Sequence, residues 1–91
     1  MYEVSAGVRS TRSEDGAILL DLTRGQVLRL NSTGSLVFEY LRQGQTEAQI
    51  VDRLNRDFPV SERILRSDVR EFIQALAQKK LICSKGTGIF R

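Results

Sequence analysis

Histidine and tryptophan are absent from this chain, and cysteine, proline and methionine occur once each. Without histidine the commonest general base is missing, and with Cys83 as the single thiol neither a Cys-His dyad nor a Ser-His-Asp triad can be assembled. One cysteine also excludes an intramolecular disulfide and a thiolate metal cage, which fits a reducing compartment such as the cytoplasm. No run approaches the roughly 20 apolar residues of a membrane span, and the start "MYEVSAGVRSTRSEDG" lacks the basic and then apolar pattern of a signal peptide. These absences point away from catalysis, bound metal, cofactors and the membrane.

What is present is ordinary globular material. The 91 residues are 41% hydrophobic and 27% charged, enough to fill one core but not two, so a single domain over residues 1–91 is expected, with a loosely held tail from about residue 84. The net charge is +3, and its excess lies in the second half, where nine Lys or Arg face six acids. That imbalance suits an acidic partner and is too small to require nucleic acid.

The first thirty residues alternate in the manner of strands. "YEVSAGVRSTRSE" places Val4, Ala6 and Val8 on one side, "EDG" at residues 14–16 supplies a turn, and "AILLDL" follows. "TRG" at residues 23–25 puts a glycine where a positive φ is needed before "QVLRL". Period two makes Leu20, Leu22, Leu28 and Leu30 the expected inward residues of this three-stranded meander.

At "NSTG", residues 31–34, the period becomes helical. Leu36, Val37, Tyr40 and Leu41 form an apolar face, and Gly44 ends the first helix. Thr46 caps a second, in which Ile50, Leu54 and Phe58 recur every four residues until Pro59. Ser61 caps a third over about residues 62–79, with Leu65, Val69, Phe72 and Leu76 as its expected seam. "LIC" at residues 81–83 can add a short strand. The pattern predicts an α+β fold, a three-stranded antiparallel sheet followed by a three-helix bundle of the winged helix-turn-helix type.

The remaining chemical signals are weak. Asp52 and Asp57 fall on solvent faces of helices, Cys83 in its apolar setting reads as a small hydrophobe, and "KGTG" lacks the Lys and Ser or Thr of a phosphate loop.

"LLDLTRGQVLRLNSTGSLVFEYLRQGQTEAQIVDRL" followed by "SDVREFIQALAQKKLI" resembles the coenzyme PQQ synthesis protein D family, recognition domains that bind the leaders of ribosomally made, modified peptides. The likeness covers about residues 17–82. It is carried by the Gly25 turn, Leu30-Asn31 with Thr33-Gly34, Gly44 and Thr46, Leu54, Asp68-Val69 and Leu76. The PQQ branch has a Pro-Glu-Gly turn where this chain has Thr23-Arg24-Gly25, so the resemblance favours the stand-alone recognition protein of lasso-peptide clusters over a PQQ-pathway peptide chaperone.

The resemblance implies a non-catalytic adaptor without a cofactor. Its partners would be a precursor leader peptide and a separate leader peptidase or other maturation enzyme. The leader would add as a strand to the third strand of the meander, with main-chain contacts on Gln26, Val27, Leu28, Arg29 and Leu30. Taking the helix-three seam as inward puts Ile73 on its shoulder and Arg66, Arg70 and Ala77 beyond it, a half-apolar, half-cationic strip for the leader's side chains. Two other functions fit the same pattern. One is a winged-helix DNA-binding protein reading the groove with Arg63, Arg66 and Arg70, although Glu62, Asp68 and Glu71 interrupt that stripe. The other is a structural subunit of an enzyme complex. An exposed edge strand leaves both monomer and dimer open.

Overall fold

A computed structural model describes residues 2–84. Its strands are β1 (Tyr2–Val4), β2 (Val8–Ser13), β3 (Gly16–Asp21) and β4 (Gln26–Asn31), then come α1 (Ser32–Arg42), α2 (Glu47–Asp57) and α3 (Glu62–Gln78), and β5 (Ile82–Ser84) closes the described chain. Strands β2, β3 and β4 form the expected antiparallel meander, and the three helices follow it. The anticipated first strand is split at Gly7. Its first part, β1, leaves the meander and pairs antiparallel with β5 in a second, two-stranded sheet, so "LIC" does supply a strand. The rest of the anticipated tail, residues 85–91, lies outside the described residues.

Each helix starts where the sequence places a cap. The Asn31 side chain accepts the Gly34 N–H at 2.8 Å, the Ser61 hydroxyl accepts the Ile64 N–H at 3.2 Å, and Thr46 and Gln49 form a reciprocal capping box. Gly25, with φ of +67°, closes the β3–β4 turn in the conformation that the sequence reading requires.

The sheet's inward face differs from the expected one. On β3 the buried residues are Gly16, Ala17, Leu19 and Asp21, whereas Leu20 is 36% exposed and, just beyond the strand, Leu22 is 65% exposed. The stretch Ile18 to Leu20 is apolar at every position, so period two carries no phase within it, and Asp21, which the expected phase turns outward, is buried instead. In the fold its carboxylate is an internal cap. It accepts the Thr23 and Arg24 N–H groups at 3.0 and 3.1 Å and the Gln26 side-chain amide at 3.0 Å. Burial alone raises the Asp21 pKa, but the hydrogen bonds from Arg24, Gln26 and Thr23, together with the Arg24 guanidinium, outweigh it and hold the carboxyl below its ordinary value. Leu30 is buried and Leu28 half-buried, as expected.

The core joins Leu19 and Leu30 of the sheet to Val37, Phe38 and Leu41 of α1, Ile50 and Leu54 of α2, and Leu65, Val69, Ile73 and Leu76 of α3. Two close approaches place the end of α3 beside β4 and its middle beside α1. The Gln26 amide also donates to the Lys79 carbonyl at 3.0 Å, while a Cβ on Gly34 would stand 3.3 Å from the Phe72 ring. The helix therefore runs antiparallel to β4, its C-terminal end beside Gln26 and its middle beside the start of α1.

Candidate peptide-binding site

Strand β4 is a sheet edge: among the described residues it pairs with β3 alone. Which backbone groups that edge offers follows from one bond on the other side of β3. Leu22 N–H donates to the Gly7 carbonyl at 2.9 Å, so the even-numbered residues of β3 turn their backbone groups toward β2 and the odd-numbered ones toward β4. With Ala17 opposite Leu30, Leu19 opposite Leu28 and Asp21 opposite Gln26, antiparallel alternation turns Gln26, Leu28 and Leu30 inward. The N–H and C=O of Val27 and Arg29 then point outward from the edge, ready for another strand.

A cleft of about 430 Å³ lies where β4 hands over to α1, facing α3. Leu30, Val37, Leu54, Leu65, Val69 and Phe72 give it an apolar floor and wall. Arg29, Asn31, Thr33, Gly34 and Asp68 form its polar margin. Gly34 keeps the floor open, since the position that a Cβ would occupy already meets the Asn31 side chain and the Phe72 ring, both at 3.3 Å. Unpaired backbone along an edge, continuous with an apolar recess of side-chain size, is the arrangement that binds an extended peptide by strand addition. Among the described residues, no group of three His, Cys, Asp or Glu side chains is placed to hold a metal ion.

Residues 16–82 match the family described as Coenzyme PQQ synthesis protein D (PqqD). The chain belongs to that family. It is also similar to the solved structure of TbiB1 in complex with the TbiA(beta) leader peptide, at 30% identity and a TM-score of 0.85, covering 92% of this chain and 98% of that one. A lasso peptide synthetase B1 complexed with the leader peptide shares the fold at 19% identity and a TM-score of 0.84, covering 91% and 98% of the two chains. A search of curated proteins finds no match.

On this PqqD-family fold the residues expected from sequence separate into those at the cleft and those away from it. Val27 and Arg29 present the outward backbone, and Arg29 and Leu30 line the cleft. Leu28 turns its backbone inward, and the Gln26 side chain is held by Asp21 and Lys79. The helix residues fall elsewhere. Ile73, expected on the shoulder, is 2% exposed within the core. Phe72, expected in the seam, is half-buried and walls the cleft. At about 100° per residue the buried Leu65, Val69, Ile73 and Leu76 span an arc of about 80°, with Phe72 just off one end and Arg66, Ala77 and Arg70 off the other. The sequence wheel was centred about 30° too far toward Phe72, which put the buried Ile73 on a shoulder, and the flank that lines the cleft is the opposite one, with Phe72 and Asp68.

Arg66 and Arg70 consequently lie on a separate surface with Arg63, Ser67, Glu71 and Gln74. There Arg66 pairs with Glu62, and Arg70 with Glu47 at 3.1 Å. Ala77 sits beside Ser5, Thr23 and Lys80. The residues missed from sequence are those of the recess itself: Asn31, Thr33 and Gly34, Val37 and Leu54, and Leu65, Asp68, Val69 and Phe72. Their signal was the dense cluster of cap and turn formers at the strand-to-helix junction, whose glycine serves close packing as well as the change of period.

Proposed function

We propose that this protein binds the leader segment of a ribosomally made precursor peptide by strand addition to β4 and holds it for a separate maturation enzyme, in a lasso-peptide pathway a leader peptidase. The observation that carries this reading is the outward backbone of Val27 and Arg29 running directly into the apolar cleft. Family membership and the 30% identity to TbiB1, whose structure contains a leader peptide, support it. In this reading the sheet and helices are a winged helix-turn-helix turned to peptide rather than DNA, and the chain has no turnover of its own. It works in the cytoplasm, and no described helix is long and apolar enough to cross a membrane.

A second surface supports delivery to an enzyme. The outer face of the sheet carries Leu20 beside Val27 with Leu22 close by, and Val27 and Leu22 are each 65% exposed. A leader strand added to β4 widens that face with its own alternate side chains, so a protein seated there contacts carrier and cargo together. DNA binding is the less favoured use of this fold, because Arg66 and Arg70 already answer carboxylates.

The decisive experiment titrates the purified protein with the precursor's leader peptide and with random duplex DNA at two salt concentrations. It is paired with an assay of leader cleavage by the partner enzyme with and without this protein. Saturable, salt-tolerant leader binding and faster cleavage are expected. Salt-sensitive binding to duplex DNA alone, or an unchanged cleavage rate, overturns the adaptor reading.

A further inference from the structure

One flank of α3 runs past the cleft as a stripe of Ile64, Asp68 and Phe72, spaced by four residues. Phe72 and Asp68 line the cleft, and Ile64, one turn further along, is 52% exposed. Among the acids Asp68 is the one that lines the cleft. Glu39, Glu47, Asp52 and Glu62 are paired with arginines, whereas Asp68, like Glu14, Asp15, Asp57 and Glu71, has no ion pair or side-chain hydrogen bond among the described residues. Its neighbours at three and four residues along the helix are Ile64, Leu65, Glu71 and Phe72, none of them cationic. Arg29 shares the cleft margin, but strand alternation directs its side chain to the outer face of the sheet with Val27, away from the helices.

From this we infer that Asp68 selects a basic side chain in the bound peptide, two residues from the apolar side chain that fills the recess beside Phe72. The inference rests on the strand-addition reading above. The spacing supports it. Four residues of helix advance about 6 Å, and two residues of an extended strand advance about 6.7 Å. Successive peptide side chains on the helix-facing side therefore meet Phe72, Asp68 and Ile64 in turn. The resulting preference alternates apolar, basic and apolar along that side, while the intervening residues point to the outer face. Bound peptide covers Asp68 on its open side and excludes water there, so an uncharged or acidic residue opposite it leaves the carboxylate poorly solvated. The strand pairing supplies affinity for almost any sequence, and Asp68 supplies discrimination.

The test selects a displayed library of random dodecapeptides on the wild-type protein, on Asp68→Asn and on Asp68→Lys. The changes are on an exposed helix face, and circular dichroism checks that each variant is folded. The wild type is expected to enrich Lys or Arg two residues from a large apolar anchor. Asp68→Lys enriches Asp or Glu at that position, and Asp68→Asn keeps the anchor without a charge preference. A selected peptide with its basic residue changed to Glu should lose about fivefold or more in affinity for the wild type and recover it on Asp68→Lys. Retention of the anchor with identical preferences at that position in wild type and Asp68→Lys overturns the role of Asp68 and leaves peptide binding standing. Failure of all three proteins to enrich any peptide overturns strand addition itself, and the role of Asp68 with it.

Discussion

Two proline substitutions in adjacent residues of β4 separate the two sides of the edge strand. Leu28 turns its N–H toward β3, opposite Leu19, so Leu28→Pro removes a ladder bond and strands a buried carbonyl. The orphaned group costs about 1–3 kcal/mol, and loss of the half-buried leucine side chain adds about 1 kcal/mol. Against a total stability of about 5–14 kcal/mol for a chain of this length, Leu28→Pro should lower the melting temperature by about 10 °C or more. Arg29→Pro removes an outward N–H that no strand uses in the free protein, so its melting temperature should fall by only a few degrees. Its effect belongs to binding. One main-chain bond to the leader is lost and a peptide carbonyl is left without its donor, about 1–3 kcal/mol, or roughly 5- to 150-fold in Kd. Thermal melting followed by circular dichroism gives the first quantity, and fluorescence anisotropy with a labelled leader peptide gives the second. A folded Arg29→Pro variant with wild-type affinity would refute β4 as the docking edge. A stable Leu28→Pro beside an unfolded Arg29→Pro would show that the strand faces have been assigned in reverse.

The buried and cleft-facing residues of α3 should respond differently to truncation: Ile73→Ala is expected to cost about 2–4 kcal/mol in denaturant unfolding, whereas Phe72→Ala should cost less and show its main effect as lost leader affinity. Changing Arg66 and Arg70 together to Glu should leave leader binding within about twofold of wild type, because exposed pairs contribute at most about 1 kcal/mol and these lie away from the cleft; a tenfold loss by anisotropy would put the leader on that flank instead. Asp21, with its pKa held down in the fold, contributes stability that is complete above the ordinary carboxylate range and is lost as pH falls through the lowered folded value. Melting curves from pH 6 to pH 2 should therefore show the advantage of wild type over Asp21→Asn shrinking below about pH 4, and a constant difference across that range would contradict the hydrogen-bonded carboxylate.

Local chemistry determined the order of elements, because its signals need only a few neighbouring residues. Thr46 and Ser61 cap the helices they were expected to cap, and Asn31, one of the cluster of cap and turn formers at the strand-to-helix junction, caps the first. Gly25 takes the positive φ its turn requires, and the change from period two to period 3.6 falls at Ser32 in both sequence and structure. The family resemblance was legible for the same reason, being carried by turns, caps and their spacing. Phase was not. In β3 the continuous apolar run could present either face inward, and the choice of Leu19 over Leu20 depended on packing against the helices and on Asp21 finding three donors inside a turn. In α3 an error of about 30° in the helix wheel exchanged Phe72 for Ile73, and which flank of the seam faces the cleft, that of Phe72 and Asp68 or that of Arg66 and Arg70, had no local signal at all. A recess shared by β4, α1, α2 and α3 exists only once those four elements have docked, so Val37, Leu54 and Asp68 become one site through tertiary packing, which brings together residues that no local pattern in the chain connects.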